Sequence, residues 1–226
     1  MAMNRQQEIS EQYISVRARI AAAAIKAGRD LADLHLIAVT KNFPISDVEI
    51  LKELGINDFG ENRDAEGAIK GAEIEATWHF QGQIQSNKLK SICTWSHVIH
   101  SLDDARHFEL IEKFATHRLG IFLQVNLDGE LHRGGIGVED IYRLAEIVQQ
   151  SQSHTLMGLM AVAPLTTSPE VAFNQLHEIQ SRFLERFPAA TALSAGMSGD
   201  FETAIEYGAT HLRIGSQILG SRQVGG

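Results

Sequence analysis

The chain has 226 residues, of which 44% are hydrophobic, enough for one large core. Its 28 aspartate and glutamate residues outnumber its 20 lysine and arginine residues, which gives a formal net charge of -8 at pH 7. This acidic balance, without a block of basic residues, argues against nucleic acid or an anionic membrane as a partner.

The cysteine content and the amino-terminal segment indicate the expected compartment. Cys93 is the one cysteine of the sequence, so no internal disulfide can form, and a reducing environment is expected. Residues 1–30 contain neither a long apolar run nor a signal-type cleavage pattern. We therefore expect a soluble, cytoplasmic protein.

Short apolar runs alternate with amphipathic stretches along most of the chain. An opening helix is predicted over residues 5–27, ended by Gly28. Strands are predicted over residues 36–41, 58–61, 77–82, 98–102, 120–126, 155–161, 190–195 and 210–214. Helices are predicted over residues 46–54 (with Ser46 as N-cap), 103–114, 138–148 and 170–187, and from residue 201 onward.

Eight strands alternating with helices predict an α/β fold, the closed parallel (β/α)₈ or TIM barrel. We predict a single barrel over residues 31–226, with an extra helix in residues 1–30 packed on it. A doubly wound open sheet is the alternative, but it needs a switch point and usually has fewer strands. The number of strands favours the barrel.

Lys41 stands at the end of the first predicted strand, a run of Leu-Ile-Ala-Val-Thr-Lys at residues 36–41. An unpaired ammonium is expensive to bury, so a lysine at this position should be neutralised, paired or covalently used. A lysine of lowered pKa is also the usual route to a Schiff base. The alternative is that the side chain extends from the strand end into water.

Polar side chains and glycines follow nearly every predicted strand. In a parallel barrel, the carboxyl ends of the strands build the active site. The residues at these ends are Lys41, Gly60, Glu61, Asn62, His79, Gln81, Gly82, Ser101, Gln124, Asn126, Met160, Ser194, Gly196, Arg213 and Gly215. Loops are polar in general, but that explains poorly why a lysine, a histidine and an arginine stand inside apolar strand segments.

Two glycine-bearing loops follow the last two predicted strands. They are Gly-Met-Ser-Gly-Asp at residues 196–200 and Arg-Ile-Gly-Ser at residues 213–216. Loops in these positions form the recurrent phosphate site of such barrels, where glycine permits close approach and Ser198 and Ser216 can add hydroxyl donors. A plain turn would explain the first loop alone, but the two together favour phosphate binding.

A lysine opposite a phosphate site suggests pyridoxal 5′-phosphate (PLP), with its aldehyde at Lys41. Arg213 would then lie near the pyridine nitrogen, where a cation leaves the ring unprotonated and weakens it as an electron sink. A salt bridge between Arg213 and Glu61, or another acid at the mouth of the barrel, is the structural alternative for this arginine, and the two roles are compatible.

The motifs along the chain carry a resemblance to a known family. They are Ala-Val-Thr-Lys at 38–41, Phe-Gly-Glu-Asn at 59–62, Trp-His-Phe-Gln-Gly at 78–82, Gln-Ser-Asn-Lys at 85–88, Gln-Val-Asn at 124–126, Gly-Leu-Met at 158–160, Gly-Met-Ser-Gly-Asp at 196–200 and Arg-Ile-Gly at 213–215. In this order, over nearly the whole chain, they resemble the pyridoxal phosphate homeostasis protein family. That family is similar to the barrel of alanine racemase and of eukaryotic ornithine decarboxylase, without their second, β-rich domain.

The resemblance implies a role for each candidate site residue. Lys41 would hold the cofactor as an internal aldimine, and Arg213 would face the pyridine nitrogen. The phosphate would be held by Ser198, Gly215 and Ser216. Asn62 and His79 would lie beside the cofactor, with Asn62 near the ring substituents.

Two functions remain open at this point. The first is a PLP carrier with little or no turnover, which serves vitamin B6 and amino-acid homeostasis. The second is a PLP-dependent amino-acid racemase, which needs acid–base groups on both faces of the cofactor. The related racemase takes its second group, a tyrosine, from the missing domain, and Tyr13, Tyr142 and Tyr207 stand at no predicted strand end here. The carrier is therefore favoured, although His79 could serve as a second base.

Further alternatives and partners follow from the same residues. An aldolase-like barrel enzyme that forms a substrate Schiff base at Lys41 would share the phosphate site but not the wider motifs. Metal binding is not expected, because His97, His100 and His107 lack the usual spacing on one helix face. We expect PLP and possible amino-acid ligands, PLP-dependent apo-enzymes as recipients, and a monomer.

Overall fold

The computed structural model describes residues 4–130 and 134–220. Its strands are β1 (His35–Val39), β2 (Asp58–Glu61), β3 (Thr77–Phe80), β4 (Val98–Leu102), β5 (Gly120–Gln124), β6 (Thr155–Met160), β7 (Ala192–Ser194) and β8 (His211–Ile214). Its α-helices are α1 (Arg5–Lys26), α2 (Ile45–Glu53), α3 (Asp64–Glu73), α4 (Leu89–Trp95), α5 (Ala105–Phe114), α6 (Val138–Gln149), α7 (Pro169–Arg186), α8 (Phe201–Glu206) and α9 (Ser216–Leu219).

The strands form a closed parallel barrel in the order β1 to β8, which confirms the predicted fold class. Closure occurs between the first and last strands, where Ile37 is opposite Arg213. The strands are buried on both faces by the surrounding helices and by the packed interior, which is why they read as apolar runs rather than alternating patterns. The barrel therefore places all strand carboxyl ends at one face.

The first strand is shorter than predicted. It ends at Val39, so Lys41 is not its last residue. The reason is a turn in which the Phe43 amide donates to the Thr40 carbonyl at 3.0 Å, while Asn42 adopts a left-handed conformation with φ of 65°. Lys41 therefore lies in the loop after β1, half-buried rather than inside the strand.

Helix α1 begins with a capping box, in which the Asn4 side chain accepts a hydrogen bond from the Gln7 amide. The helix packs on α2, α8 and α9 through buried residues that include Ile9 and Ile20. The division into residues 1–30 and 31–226 stays a prediction, and residues 1–3, 131–133 and 221–226 of it lie outside the described residues.

The predicted N-cap of α2 is wrong. Pro44 holds that position and Ser46 lies inside the first turn, because the turn at Lys41 brings the chain directly into the helix. Within the described residues, no helix combines the length and the apolar character needed to cross a membrane.

Candidate functional site

A cavity of about 370 Å³ opens at the carboxyl-terminal face of the barrel. Its walls are Val39, Lys41, Phe43, Asn62, Gln81, Met160, Val162, Met197, Ser198, Gly199, Arg213, Gly215, Ser216 and Gly220. The cavity thus brings together six of the seven residues predicted for the site, those on the loops after β1, β2, β7 and β8 and on β8 itself. His79 is the exception.

A buried ion pair supports the turn at Lys41. The ammonium of Lys70 on α3 lies 2.6 Å from Glu61 Oε1 and donates to the Thr40 carbonyl at 2.8 Å. The Thr40 hydroxyl donates to the same carboxylate oxygen at 2.6 Å. The alternative salt bridge between Arg213 and Glu61 is wrong, because Arg213 donates to Ser194 and to the Ala161 carbonyl instead. The second oxygen of this carboxylate, Glu61 Oε2, is buried and has no hydrogen-bond partner among the described residues.

Arg213 is buried in the wall of the cavity. Its guanidinium donates to Ser194 Oγ at 2.7 Å and to the Ala161 carbonyl at 3.0 Å. Burial lowers the pKa of Arg213 to about 10, and the nearby Asp200 opposes that change. At neutral pH the side chain still has its charge, so it places a fixed cation against the cavity.

The two glycine-bearing loops are linked to each other. The Met197 amide donates to Asp200 Oδ1 at 2.6 Å, and the Gln217 side chain donates to the Ser198 carbonyl. Gly196 has φ of 87°, and a Cβ there would overlap Ala204 and the Phe201 backbone. The loops after β7 and β8 are thereby held side by side, with Ser198 and Ser216 on the same cavity.

Two polar atoms in the cavity wall have no hydrogen-bond partner among the described residues. They are Asn62 Oδ1 and Gln81 Nε2, and both are buried. Buried polar atoms are normally paired, so these two are available to a polar ligand in the cavity. A Cβ on Gly82 would overlap the Asn62 carbonyl, so only glycine lets these two loops approach so closely.

Gln81 is among the residues at the predicted strand ends, but the sequence gives it no role toward the cofactor. The signal for such a role is its place just after β3, next to Gly82 at the carboxyl-terminal face. The sequence prediction gives that role to His79, two positions back. Because residues i and i+2 of a strand point to the same side, both face the barrel interior, and Gln81 lies one layer nearer the cavity.

His79 is predicted beside the cofactor, but the structure places it apart from the residues that line the cavity. Its ring does not line the cavity, and is buried in the barrel with Nδ1 2.9 Å from His100 Nε2 and Nε2 3.0 Å from Asp58 Oδ1. Asp58 begins β2, so the ring is directed toward the amino-terminal end of the barrel. A position of His79 beside the cofactor therefore stays a prediction.

Known proteins are similar in sequence to this chain over nearly its whole length. A family model described as alanine racemase, N-terminal domain, matches residues 15–223. The pyridoxal phosphate homeostasis protein of Mycobacterium tuberculosis is 37% identical over 248 residues, which cover 98% of this chain and 95% of that protein. The chain belongs to the pyridoxal phosphate homeostasis protein family.

A solved structure extends the comparison to the fold. PipY of Synechococcus elongatus, with PLP bound, is 30% identical with a TM-score of 0.82, over 94% of this chain and 100% of that chain. An alanine racemase of Corynebacterium glutamicum is 12% identical with a TM-score of 0.68, and it shows the barrel fold alone. This chain covers 59% of that racemase, whereas it covers 95% of the Mycobacterium tuberculosis protein.

The tyrosines of this family member lie away from the cavity. Tyr13 is on α1, Tyr142 on α6 stacks with Phe187, and Tyr207 follows α8. Among the residues that the structure describes, no three histidine, cysteine, aspartate or glutamate side chains are grouped so that they could hold a metal ion. The chemistry available at the cavity therefore rests on Lys41, Arg213 and neutral polar groups.

Proposed function

We propose that this chain binds PLP in the cavity at Lys41 and holds it with little or no turnover, in the service of vitamin B6 and amino-acid homeostasis. The observation that carries the proposal is the cavity, which has an amine at one side, a guanidinium in its wall and two glycine–serine loops. The names of the relatives and the PLP in PipY support it.

Different residues of the cavity would hold the phosphate and the ring of PLP. Ser198, Gly215 and Ser216 would hold the phosphate through hydroxyl and backbone N–H groups, which suit an anion. The unpartnered atoms of Asn62 and Gln81 suit the polar ring substituents. When bound, PLP supplies an aldehyde that condenses with a primary amine with loss of water.

Lys41 supplies that amine, and its neighbours determine where the amine lies. The turn that presents Lys41 is held from behind by Lys70, through Glu61 and the Thr40 carbonyl. Because both partners of this pair are buried, the turn is fixed to α3 rather than free to move with the loop. The chain thus holds its reactive amine at one side of the cavity.

Arg213 accounts for the low turnover in this proposal. Its guanidinium can only donate hydrogen bonds, so it would hold a pyridine nitrogen in the unprotonated form, which is the weaker electron sink. The cavity wall contains no tyrosine to act as a second acid–base group. Binding and retention are therefore favoured over racemisation.

Delivery of PLP to apo-enzymes, amino acids as further ligands, the monomeric state and the cytoplasmic location stay predictions. Delivery is tested by comparing the reactivation of a PLP-dependent apo-enzyme by the loaded protein with that by free PLP at equal concentration. Faster or more complete reactivation by the loaded protein supports delivery, whereas reactivation slower than with free PLP indicates storage alone.

Replacing Lys41 with alanine is expected to weaken PLP retention on the order of 100-fold, because the covalent attachment point is lost. The purified protein should be yellow, and borohydride reduction should fix the cofactor on the peptide that contains Lys41. Lys88→Ala is the matched control, since Lys88 is an exposed lysine near the same face. Absorbance after dialysis and peptide mass spectrometry measure both effects.

Three results would contradict the proposed function. A colourless protein that binds no added PLP excludes both a carrier and a racemase. A borohydride-trapped phosphorylated substrate on Lys41, without PLP, would indicate the aldolase-like enzyme. Sustained exchange of the Cα proton of L-alanine in deuterated water, with D-alanine formed at enzymatic rates, would establish the racemase.

Replacing Gln81 with methionine is expected to weaken PLP binding by about 10-fold, the equivalent of one hydrogen bond. The ligand-free protein should not melt at a lower temperature, because Gln81 Nε2 has no partner to lose. Gln83→Met, at an exposed position, is the control. A drop in the melting temperature without a change in affinity would show that Gln81 supports the fold instead of the ligand.

A further inference from the structure

A continuous chain of hydrogen bonds crosses the barrel interior beneath the cavity. It begins at Asp58, at the amino-terminal end of β2, and passes through His79 and His100 to Ser194 and Arg213. Its links are 3.0 Å from Asp58 to His79, 2.9 Å from His79 to His100, 2.8 Å from His100 to Ser194 and 2.7 Å from Ser194 to Arg213. The chain thus joins the two ends of the barrel.

The donor and acceptor roles can be assigned from the Arg213 end. A guanidinium only donates, so Ser194 Oγ accepts from Arg213 and can give its own proton to His100 Nδ1. A neutral His100 that accepts at Nδ1 has its proton on Nε2, and that proton is directed at His79 Nδ1. His79 then donates from Nε2 to Asp58.

The Asp58 end requires the same direction. A carboxylate only accepts, so His79 Nε2 must donate to it. Burial by itself would raise the pKa of Asp58, but the hydrogen bond from His79 lowers it below its usual range. The cation at one end and the anion at the other therefore polarise all four hydrogen bonds in one direction.

The charged groups around the chain keep its centre neutral. Burial lowers the pKa of His100 well below its usual range, and His79, Arg213 and His211 lower it further. From the neighbouring strands, His35 and His211 face Asp58, Asp200 acts on Arg213, and Phe122 stacks on His100. The Asp58 end reaches water, since 37% of that side chain is exposed while His79 is 3% exposed.

We propose that Asp58, His79, His100 and Ser194 are positioning residues that hold Arg213 in one orientation against the cavity. The Asp58 carboxylate can only accept, so it fixes the proton of His79 on Nε2, and each later link then has one donor and one acceptor. Ser194 Oγ is thereby left with a lone pair for the Arg213 guanidinium.

The first test is NMR of the ligand-free, ¹⁵N-labelled protein at about pH 8, where histidines are mostly neutral. Both His79 and His100 are expected as the Nε2–H tautomer alone. The exposed His177 on α7 serves as the internal reference, since solvent leaves its two tautomers in exchange. An Nδ1–H tautomer, or a mixture like that of His177, at either buried histidine would overturn the proposal.

The second test records the same resonances in three variants at the same pH. An asparagine amide can donate as well as accept, so Asp58→Asn should add the Nδ1–H tautomer at His79. Asp33→Asn removes the same charge at the same end of the barrel and should leave the His79 tautomer as in the wild type. Ser194→Ala removes an acceptor of Arg213 and should shift the Arg213 guanidinium resonances.

The same single His79 tautomer in the Asp58→Asn protein as in the wild type, or Arg213 resonances that Ser194→Ala leaves in place, would overturn the proposal. The relevance of this orientation to PLP rests on the proposed function, but both measurements use ligand-free protein. A failure of PLP binding appears as a protein that stays colourless with added PLP. The two hypotheses can therefore fail separately.

Discussion

Replacing Lys70 with methionine is expected to lower the free energy of unfolding by about 3–5 kcal/mol. The ammonium of Lys70 and the carboxylate of Glu61 are 2.6 Å apart, with side chains only 5% and 0% exposed. Methionine fills the same space but leaves the carboxylate buried without its cation. Thermal or urea denaturation measures the loss, which corresponds to a melting temperature lower by about 10 °C.

Two further variants isolate the cause. Glu61→Gln combined with Lys70→Met should recover more than half of the lost stability, since the buried charge is removed together with its partner. Lys90→Met, on the exposed side of α4, should change stability by less than about 0.5 kcal/mol. A double variant that is no more stable than Lys70→Met would show that packing, not the unpaired charge, causes the loss.

The Lys70→Met effect should also depend on pH. Burial raises the pKa of Glu61, and in the wild type Lys70 and Thr40 partly offset this. Without Lys70, the carboxyl group can escape its penalty by taking up a proton. Because a raised pKa in the folded state penalises folding as the pH rises through it, the variant should lose less stability at about pH 5 than at about pH 8.

Acid is expected to destabilise the wild-type fold by about 4 kcal/mol between about pH 7 and about pH 5, through two buried histidines. Burial lowers the pKa of His211 to about 3, and the pKa of His100 falls well below its usual range for the same primary reason. Both rings stay neutral in the fold and take up protons only on unfolding. The contribution of the two neutral rings to the free energy of unfolding is therefore fully present above the unfolded pKa of about 6.5, and it decreases as the pH falls below that value.

His211→Gln tests this assignment directly. Glutamine does not titrate, so the loss of stability between about pH 7 and about pH 5 should decrease by about half, or about 2 kcal/mol. The exposed His177→Gln variant should show the full wild-type loss. Urea denaturation at several pH values measures both, and equal losses in the wild type and His211→Gln proteins would contradict the role of the buried ring.

The sequence predicted the barrel and most of the cavity because both depend on local patterns. Most strands have an apolar centre, Lys41, Asn62 and Ser198 lie in the loops that follow such strands, and Arg213 lies on the last strand itself. The depth of a side chain inside the barrel is different, since alternation along a strand gives only the side to which it points. His79 and Gln81 therefore looked equivalent, although only Gln81 reaches the cavity.

Lys70 shows a second limit of sequence reasoning. A lysine on an amphipathic helix is most often solvated, and its pattern on α3 does not distinguish it from Lys52 on α2. Its burial depends on Glu61, which lies on a neighbouring strand and supplies the opposite charge. That pairing is a property of the folded barrel, so no pattern within the helix could have revealed it.

The closure of the barrel between β1 and β8 determines when the cavity can exist during synthesis. Arg213 lies opposite Ile37, and Gly215 lies against the Val39 backbone, so the walls of the cavity come from opposite ends of the chain. A nascent chain displays Lys41 early, but it has no complete cavity until the last strand has left the ribosome. Occupancy by a ligand would then distinguish finished molecules from truncated or half-made ones.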